Sequence, residues 1–138
     1  PFCGYNMAVY FRHWLDMGKG MRKAPRIFHV NWFKTDDKGR FLWPGFGENL
    51  RVLEWVLQRC FNNIDSIKTP IGYIPRPQDL DLTGLKLSAG AFEKLFEIDK
   101  KSWLGEAKEI KKFYRKFKKG LPPELWQEFD ALLGRLKS

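Results

Sequence analysis

The stretch Asn31 to Asn49 holds the residue types from which a slot for a flat ring can be built. It carries five aromatics, Trp32, Phe33, Phe41, Trp43 and Phe46. Asp36-Asp37-Lys38-Gly39 has the chemistry of a tight turn. A hairpin folded there brings Phe33 and Phe41 near each other across its strands. Phe46 sits between Gly45 and Gly47, in a turn that aims at the same region. Stacking a base on such rings is worth about 1–3 kcal/mol and does not discriminate among bases.

Discrimination needs a polar group, and Asn49 supplies one. Its amide carries an acceptor and a donor. Guanine offers an O6 acceptor beside an N1–H donor, which one amide can match. Adenine offers the opposite order, and a flipped amide matches that equally well. The backbone N–H groups of Gly47, Glu48 and Asn49 at a helix start are therefore expected to decide, by donating to O6. Glycine permits the close backbone approach. Composition and spacing alone favour a plainer reading, in which an aromatic hairpin packs on a helix as ordinary core. Gly45-x-Gly47 is not a dinucleotide fingerprint, and no GxxxxGK[ST] loop occurs.

The elements that must position these residues follow from periodicity and punctuation. Tyr5–Met17 has helical spacing. Tyr5, Val9, Arg12, His13 and Asp16 form one stripe, with Tyr10, Trp14 and Met17 a second. Gly18-Lys19-Gly20 is its expected stop. Pro25 precedes a predicted strand over 26–33, with Ile27, Phe28, Val30, Trp32 and Phe33 as β-formers. Phe41-Leu42-Trp43 is the predicted partner strand, stopped by Pro44. A helix opens at 45–49, with Leu50, Leu53, Leu57 and Cys60 on one apolar face beside Val56 and Phe61. Thr69–Pro75 reads as extended and 79–83 as a turn. Helices are expected over 91–96, from a Ser102 cap to Gly120, and from Pro122-Pro123 onward. Trp103, Ala107, Ile110, Tyr114 and Phe117 make the apolar face of the second of these. Leu125, Phe129, Leu132 or Leu133, and Leu136 face inward in the last.

The fold class is mixed α/β, with a hairpin and helices in front and an all-helical tail. Residues 1–62 carry the ring-binding segment, 63–87 an extended connector and 88–138 the tail. A lone two-stranded hairpin is marginal in water, so it is expected to pair with strands outside the chain.

The 138 residues carry 25 Lys or Arg against 16 Asp or Glu, a net charge of +9, with 43% hydrophobic and 16% aromatic residues. That is too rich in core formers for a disordered chain. No apolar run approaches a membrane span. The first residue is Pro1, and no signal peptide follows, so the sequence reads as cut from something longer. Cys3 and Cys60 form no disulfide framework and no zinc motif, and read as reduced thiols of an intracellular protein. His13 and His29 have no partner at ligand spacing and read as structural. Asp36-Asp37 and Asp79-Leu80-Asp81 read as turn caps rather than cation sites. No catalytic residue and no metal ligand is assigned. Residues 100–119 hold nine Lys or Arg against Glu106 and Glu109, a surplus of 9 − 2 = +7. A small basic nucleic-acid-binding module is the alternative reading of that run. A solvated helix face is the favoured one.

The segments Phe28-His29-Val30-Asn31-Trp32-Phe33 and Phe41-Leu42-Trp43-Pro44-Gly45-Phe46-Gly47-Glu48-Asn49 closely resemble the C-terminal part of GTP-dependent phosphoenolpyruvate carboxykinases. So do Pro1-Phe2-Cys3-Gly4-Tyr5-Asn6, Arg51-Val52-Leu53-Glu54-Trp55, Thr69-Pro70-Ile71-Gly72 and Asp81-Leu82-Thr83-Gly84-Leu85. Cys3 and Met7 stand where phenylalanine is expected. The resemblance implies that Phe33, Phe41 and Phe46 enclose guanine, that Asn49 reads it, and that Gly47 and Glu48 belong to the same contact run. It implies GTP and GDP as ligands, oxaloacetate and phosphoenolpyruvate as substrate and product, and Mn²⁺ and Mg²⁺ in the parent enzyme. It also implies a cytoplasmic enzyme of gluconeogenesis with no membrane partner. The phosphate-binding loop, metal ligands, reactive cysteine and lid of such enzymes correspond to sequence upstream of Pro1. The upstream part of the same polypeptide is the expected partner, and the chain alone is expected to be inactive.

Overall fold

Asn6 starts the first helix. Its side-chain oxygen accepts from Ala8 N at 2.9 Å, satisfying one of the unpaired donors of a helix start. The computed structural model describes residues 3–87 and 90–138. Pro1 and Phe2 of the opening motif lie outside them, as do Ser88 and Ala89 at the start of the expected tail. In chain order the elements are α1 (Met7–Gly20), α2 (Asn49–Cys60), β1 (Ile67–Thr69), β2 (Gly72–Ile74), α3 (Ala91–Phe96), α4 (Lys100–Arg115) and α5 (Pro123–Lys137). Short 3₁₀ turns occupy Phe46–Glu48, Pro77–Asp79 and Lys118–Gly120. Among the described residues, no helix is long and apolar enough to cross a membrane.

The chain divides into two compact units, Pro1–Pro25 with Asp99–Ser138, and Arg26–Ile98. In the first, α4 and α5 pack through a ring cluster. Tyr114 meets Trp126 edge-on at 5.4 Å, and Trp126 meets Phe129 at 5.8 Å. Phe11 of α1 joins through Phe117 at 5.7 Å. Ala8, Ala107, Leu121, Phe129 and Leu136 are its buried core. Ala8 lies 3.6 Å from where a Cβ on Gly120 would stand, so the chain after α4 passes close to α1. Asp99 caps α4, accepting from Lys101 N and Ser102 N at 3.0 and 3.3 Å. The expected Ser102 cap is thus displaced by three residues, because a carboxylate accepts from two backbone donors at once. α4 ends at Arg115 rather than at Gly120, so Trp103, Ala107, Ile110 and Tyr114 of the predicted apolar face lie on it, with Ala107 buried, and Phe117 follows it.

α1 ends at Gly20, within the expected Gly18-Lys19-Gly20 stop, but it starts at Met7 rather than Tyr5, and its predicted stripes change. Its inward side is Ala8, Phe11, Arg12 and Leu15, while Val9, Trp14 and Met17 stand exposed.

In the second unit the predicted strand over 26–33 does not form, nor does a strand at 41–43. Arg26–Asn31 has no regular structure, and pairing around the 36–39 turn shrinks to one bridge, Thr35 with Phe41. Residues rich in β-formers stay irregular when no neighbouring strand covers them, because β-propensity expresses packing more than backbone preference. The turn itself forms as expected. Asp36 Oδ1 accepts from Lys38 N and Arg40 N, both at 2.9 Å, and Gly39 takes φ 74°. The Asp36 carboxyl is held below its ordinary range, first by the Arg40 backbone donor.

The two-stranded antiparallel hairpin lies instead at β1 and β2, with Ile67 opposite Ile74, Lys68 opposite Tyr73 and Thr69 opposite Gly72. Gly72 takes φ 135° there, a conformation that suits glycine alone. Leu50, Leu53, Leu57 and Cys60 of α2, the expected inward face, stand exposed. The helix buries Trp55 instead, edge-on to Phe28 at 6.1 Å. Leu42, Trp43, Leu80 and Ala91 complete the buried core of this unit.

Candidate functional site

Phe33 and Phe41 meet edge-on with ring centroids 6.0 Å apart, and both rings face outward, 72% and 65% exposed. The single Thr35–Phe41 bridge and the Leu42 N to Lys34 O bond (2.9 Å) bring the two sides together. Asn31 contributes from the other end. Its side-chain oxygen accepts from Phe33 N at 2.9 Å and turns the chain into the ring pair. Lys34, next to Phe33, reaches the last turn of α3 and donates to the carbonyls of Lys94, Leu95 and Glu97. An ammonium there also meets the negative end of the helix dipole. Partial burial holds its pKa below the usual lysine value. The rings are therefore carried on a tethered loop rather than on a sheet.

Phe46 is 96% exposed, and among the described residues no ring packs against it. It opens a 3₁₀ turn whose preceding residue, Gly45, takes φ 98°. Only glycine adopts that conformation without strain. A Cβ on Gly47 would meet open space, so packing does not require glycine there.

The expected backbone donors are largely spent. Glu48 N donates to Gly45 O at 2.9 Å, and Asn49 N donates to Phe46 O, closing the 3₁₀ turn. Of the three N–H groups proposed from sequence to face a ligand, these two are turned into the chain. The Glu48 carboxylate is also held, by Arg51 Nε at 2.6 Å. The same guanidinium donates to Asp81 O at 2.6 Å and Thr83 O at 2.9 Å. Arg51 thereby pins the 46–49 turn to the 81–83 turn.

Asn49 is the first residue of α2, and its Oδ1 accepts from the indole Nε1 of buried Trp43 at 3.0 Å. Sequence reasoning missed the roles of Trp43, Lys34 and Arg51. Arg51 had a legible signal, since Glu48 stands three residues before it on a helix start. Trp43 and Lys34 had none, because their partners are set by the path of the loop.

Among the described residues, no three His, Cys, Asp or Glu side chains gather as a cation site.

The segment thus carries an outward pair of rings, an exposed glycine-flanked aromatic and a fixed amide at a helix start. A family model described as the phosphoenolpyruvate carboxykinase C-terminal P-loop domain matches residues 1–135. Three relatives carry the name phosphoenolpyruvate carboxykinase [GTP]. That from Thermoplasma volcanium is 46% identical over 99% of this chain, that from Chlamydia muridarum 47% over 99%, and that from Neocallimastix frontalis 48% over 100%. The chain belongs to the GTP-dependent phosphoenolpyruvate carboxykinase family. It spans 23% of the length of each of these relatives. None of these matches supports the nucleic-acid reading of residues 100–119.

Proposed function

We propose that this chain supplies the guanine pocket of a GTP-dependent phosphoenolpyruvate carboxykinase. The observation that carries the reading is the outward-facing Phe33–Phe41 pair, 6.0 Å between centroids, in a chain whose relatives are named for GTP. Exposed rings held together by a tethered loop offer a π-face to a base. Phe46 adds a third ring, open Gly47 leaves room for the base, and Asn49 reads its polar edge. Glu48 acts through Arg51, holding the turn rather than touching the ligand.

The reaction is conversion of oxaloacetate and GTP to phosphoenolpyruvate, CO₂ and GDP, the committed chemistry of gluconeogenesis in the cytoplasm. Loss of CO₂ leaves the C–C bond electrons on an enolate. Its oxygen takes the γ-phosphoryl group, and GDP leaves with the bridging oxygen's electrons. Catalysis of such a transfer is mostly positioning and charge stabilisation. This chain's share is to hold the base end of GTP, so that the triphosphate is presented to groups elsewhere in the polypeptide. Divalent metals, where used, would be held by those groups and would neutralise charge on the triphosphate. The chain alone is inactive on this reading.

The test replaces the matching segment of the Thermoplasma volcanium relative with this chain. The chimaera should decarboxylate oxaloacetate with GTP, and Phe33→Ala with Phe41→Ala should raise KM for GTP at least tenfold. An active chimaera whose KM for GTP ignores both substitutions would refute the pocket.

A further inference from the structure

The amide of Asn49 is ambiguous by itself, since one flip suits guanine and the other suits adenine. The backbone offers little help, because the N–H groups of Glu48 and Asn49 are spent on the 3₁₀ turn and only that of Gly47 is left of the three. We infer that Trp43 resolves it: its indole N–H locks the Asn49 amide in the orientation that selects guanine over adenine. The inference rests on the pocket reading above.

The physical case has three parts. An indole N–H donates and never accepts, so the atom facing it at 3.0 Å must be the amide oxygen. Trp43 is only 5% exposed, so its ring is fixed by packing and cannot follow a flipping amide. A flip would set the amide NH₂ against the indole N–H and leave a buried donor without a partner. The amide therefore presents its NH₂ as the end left for a ligand. Guanine O6 accepts from that NH₂. Adenine places its own amino group at the equivalent position, donor against donor.

Trp43 is thus a positioning residue that never touches the base. It differs from a purely structural tryptophan in a measurable way. Loss of packing lowers activity with every nucleotide alike, whereas loss of the lock changes the ratio between nucleotides.

The experiment uses the chimaera described above and compares kcat/KM for GTP, ITP and ATP. Trp43→Phe keeps a ring and removes the donor. It should lower the GTP-to-ATP ratio about tenfold, the worth of roughly one hydrogen bond, with kcat for GTP changed less than KM. ITP shares O6 and N1–H with GTP and should follow GTP. Asn49→Asp keeps the acceptor for Trp43 but replaces the NH₂ with a second acceptor. It should lower the GTP-to-ATP ratio by up to about a hundredfold, the scale of a mismatched polar contact. If Asn49→Ala destroys GTP preference while Trp43→Phe and Asn49→Asp both leave it intact, the lock is overturned and the pocket stands. If Asn49→Ala also leaves it intact, the pocket reading itself fails. A Trp43→Phe protein that does not fold leaves the exchange of the Trp43 indole N–H to decide. In the 138-residue chain, the ¹⁵N-labelled indole N–H of Trp43 gives an activity-free check. Its exchange protection should drop at least tenfold in Asn49→Ala, and an unchanged resonance with unchanged protection would disprove the bond.

Discussion

Arg12 on α1 grips Glu124 on α5 through two parallel hydrogen bonds of 2.8 and 3.1 Å, across 112 positions of sequence. Lys19 adds a third contact at 3.1 Å. Glu124 also stands in the first turn of α5, where a negative charge is favoured by the helix dipole.

These donors, Arg12 first, hold the Glu124 carboxyl down at about 2, against 4.5 for a free glutamate. A carboxyl with a depressed folded-state pKa contributes stability above its unfolded pKa and loses it as pH falls through the folded value. The gap in melting temperature between the chain and Glu124→Gln should therefore be full above about pH 5 and close progressively between about 4.5 and about 2. Thermal melts across that range check this. A gap that stays constant down to pH 2 would contradict the assigned role.

Trp55 is buried, and its Nε1 has no hydrogen-bond partner among the described residues. Desolvating an unpaired donor costs about 1–3 kcal/mol. Trp55→Phe keeps most of the ring packing against Phe28 and removes that donor. Denaturant unfolding should show stability unchanged or raised. A loss above about 2 kcal/mol would show that the larger ring's packing outweighs the donor's cost.

Phe46 separates binding from folding. At 96% exposure it contributes little to stability. Phe46→Ala should leave unfolding free energy within about 0.5 kcal/mol. In the chimaera it should weaken GTP binding by about 5- to 100-fold, the worth of one stacked ring. Equal weakening of ATP is expected, because stacking does not read the base edge.

Arg51 joins the 46–49 turn to the carbonyls of Asp81 and Thr83. Arg51→Lys keeps the charge but cannot span three acceptors with a planar fork. It should raise KM for GTP several-fold with little change in kcat. Hydrogen exchange should quicken at Glu48 and Asn49 N–H in the same variant, and unchanged exchange would count against the pinning role.

Much was legible along the chain because its causes are local. The helices at 91–96 and from Pro123 follow from period and punctuation, and Asp36–Gly39 carries its own turn chemistry. The nearness of Phe33 and Phe41 followed as well, although Thr35 is the residue opposite Phe41 and the two rings meet diagonally across the turn. Neighbours are what local patterns omit. Ile27, Phe28 and Val30 have the composition of a strand, yet among the described residues no strand pairs with them and the segment stays irregular. Leu50, Leu53 and Leu57 share a helical face, yet α2 buries the opposite side through Trp55.

The candidate site divides along the same line. Residue types alone raised the expectation that the 31–49 segment stacks a base and that Asn49 reads one. Which end of that amide is held by a neighbour was decided only in three dimensions. Two backbone donors close a 3₁₀ turn, and the N–H of buried Trp43 fixes Oδ1 at 3.0 Å. A side-chain amide has two equivalent flips in sequence, and only a rigid neighbour with a single hydrogen-bonding sense makes them unequal.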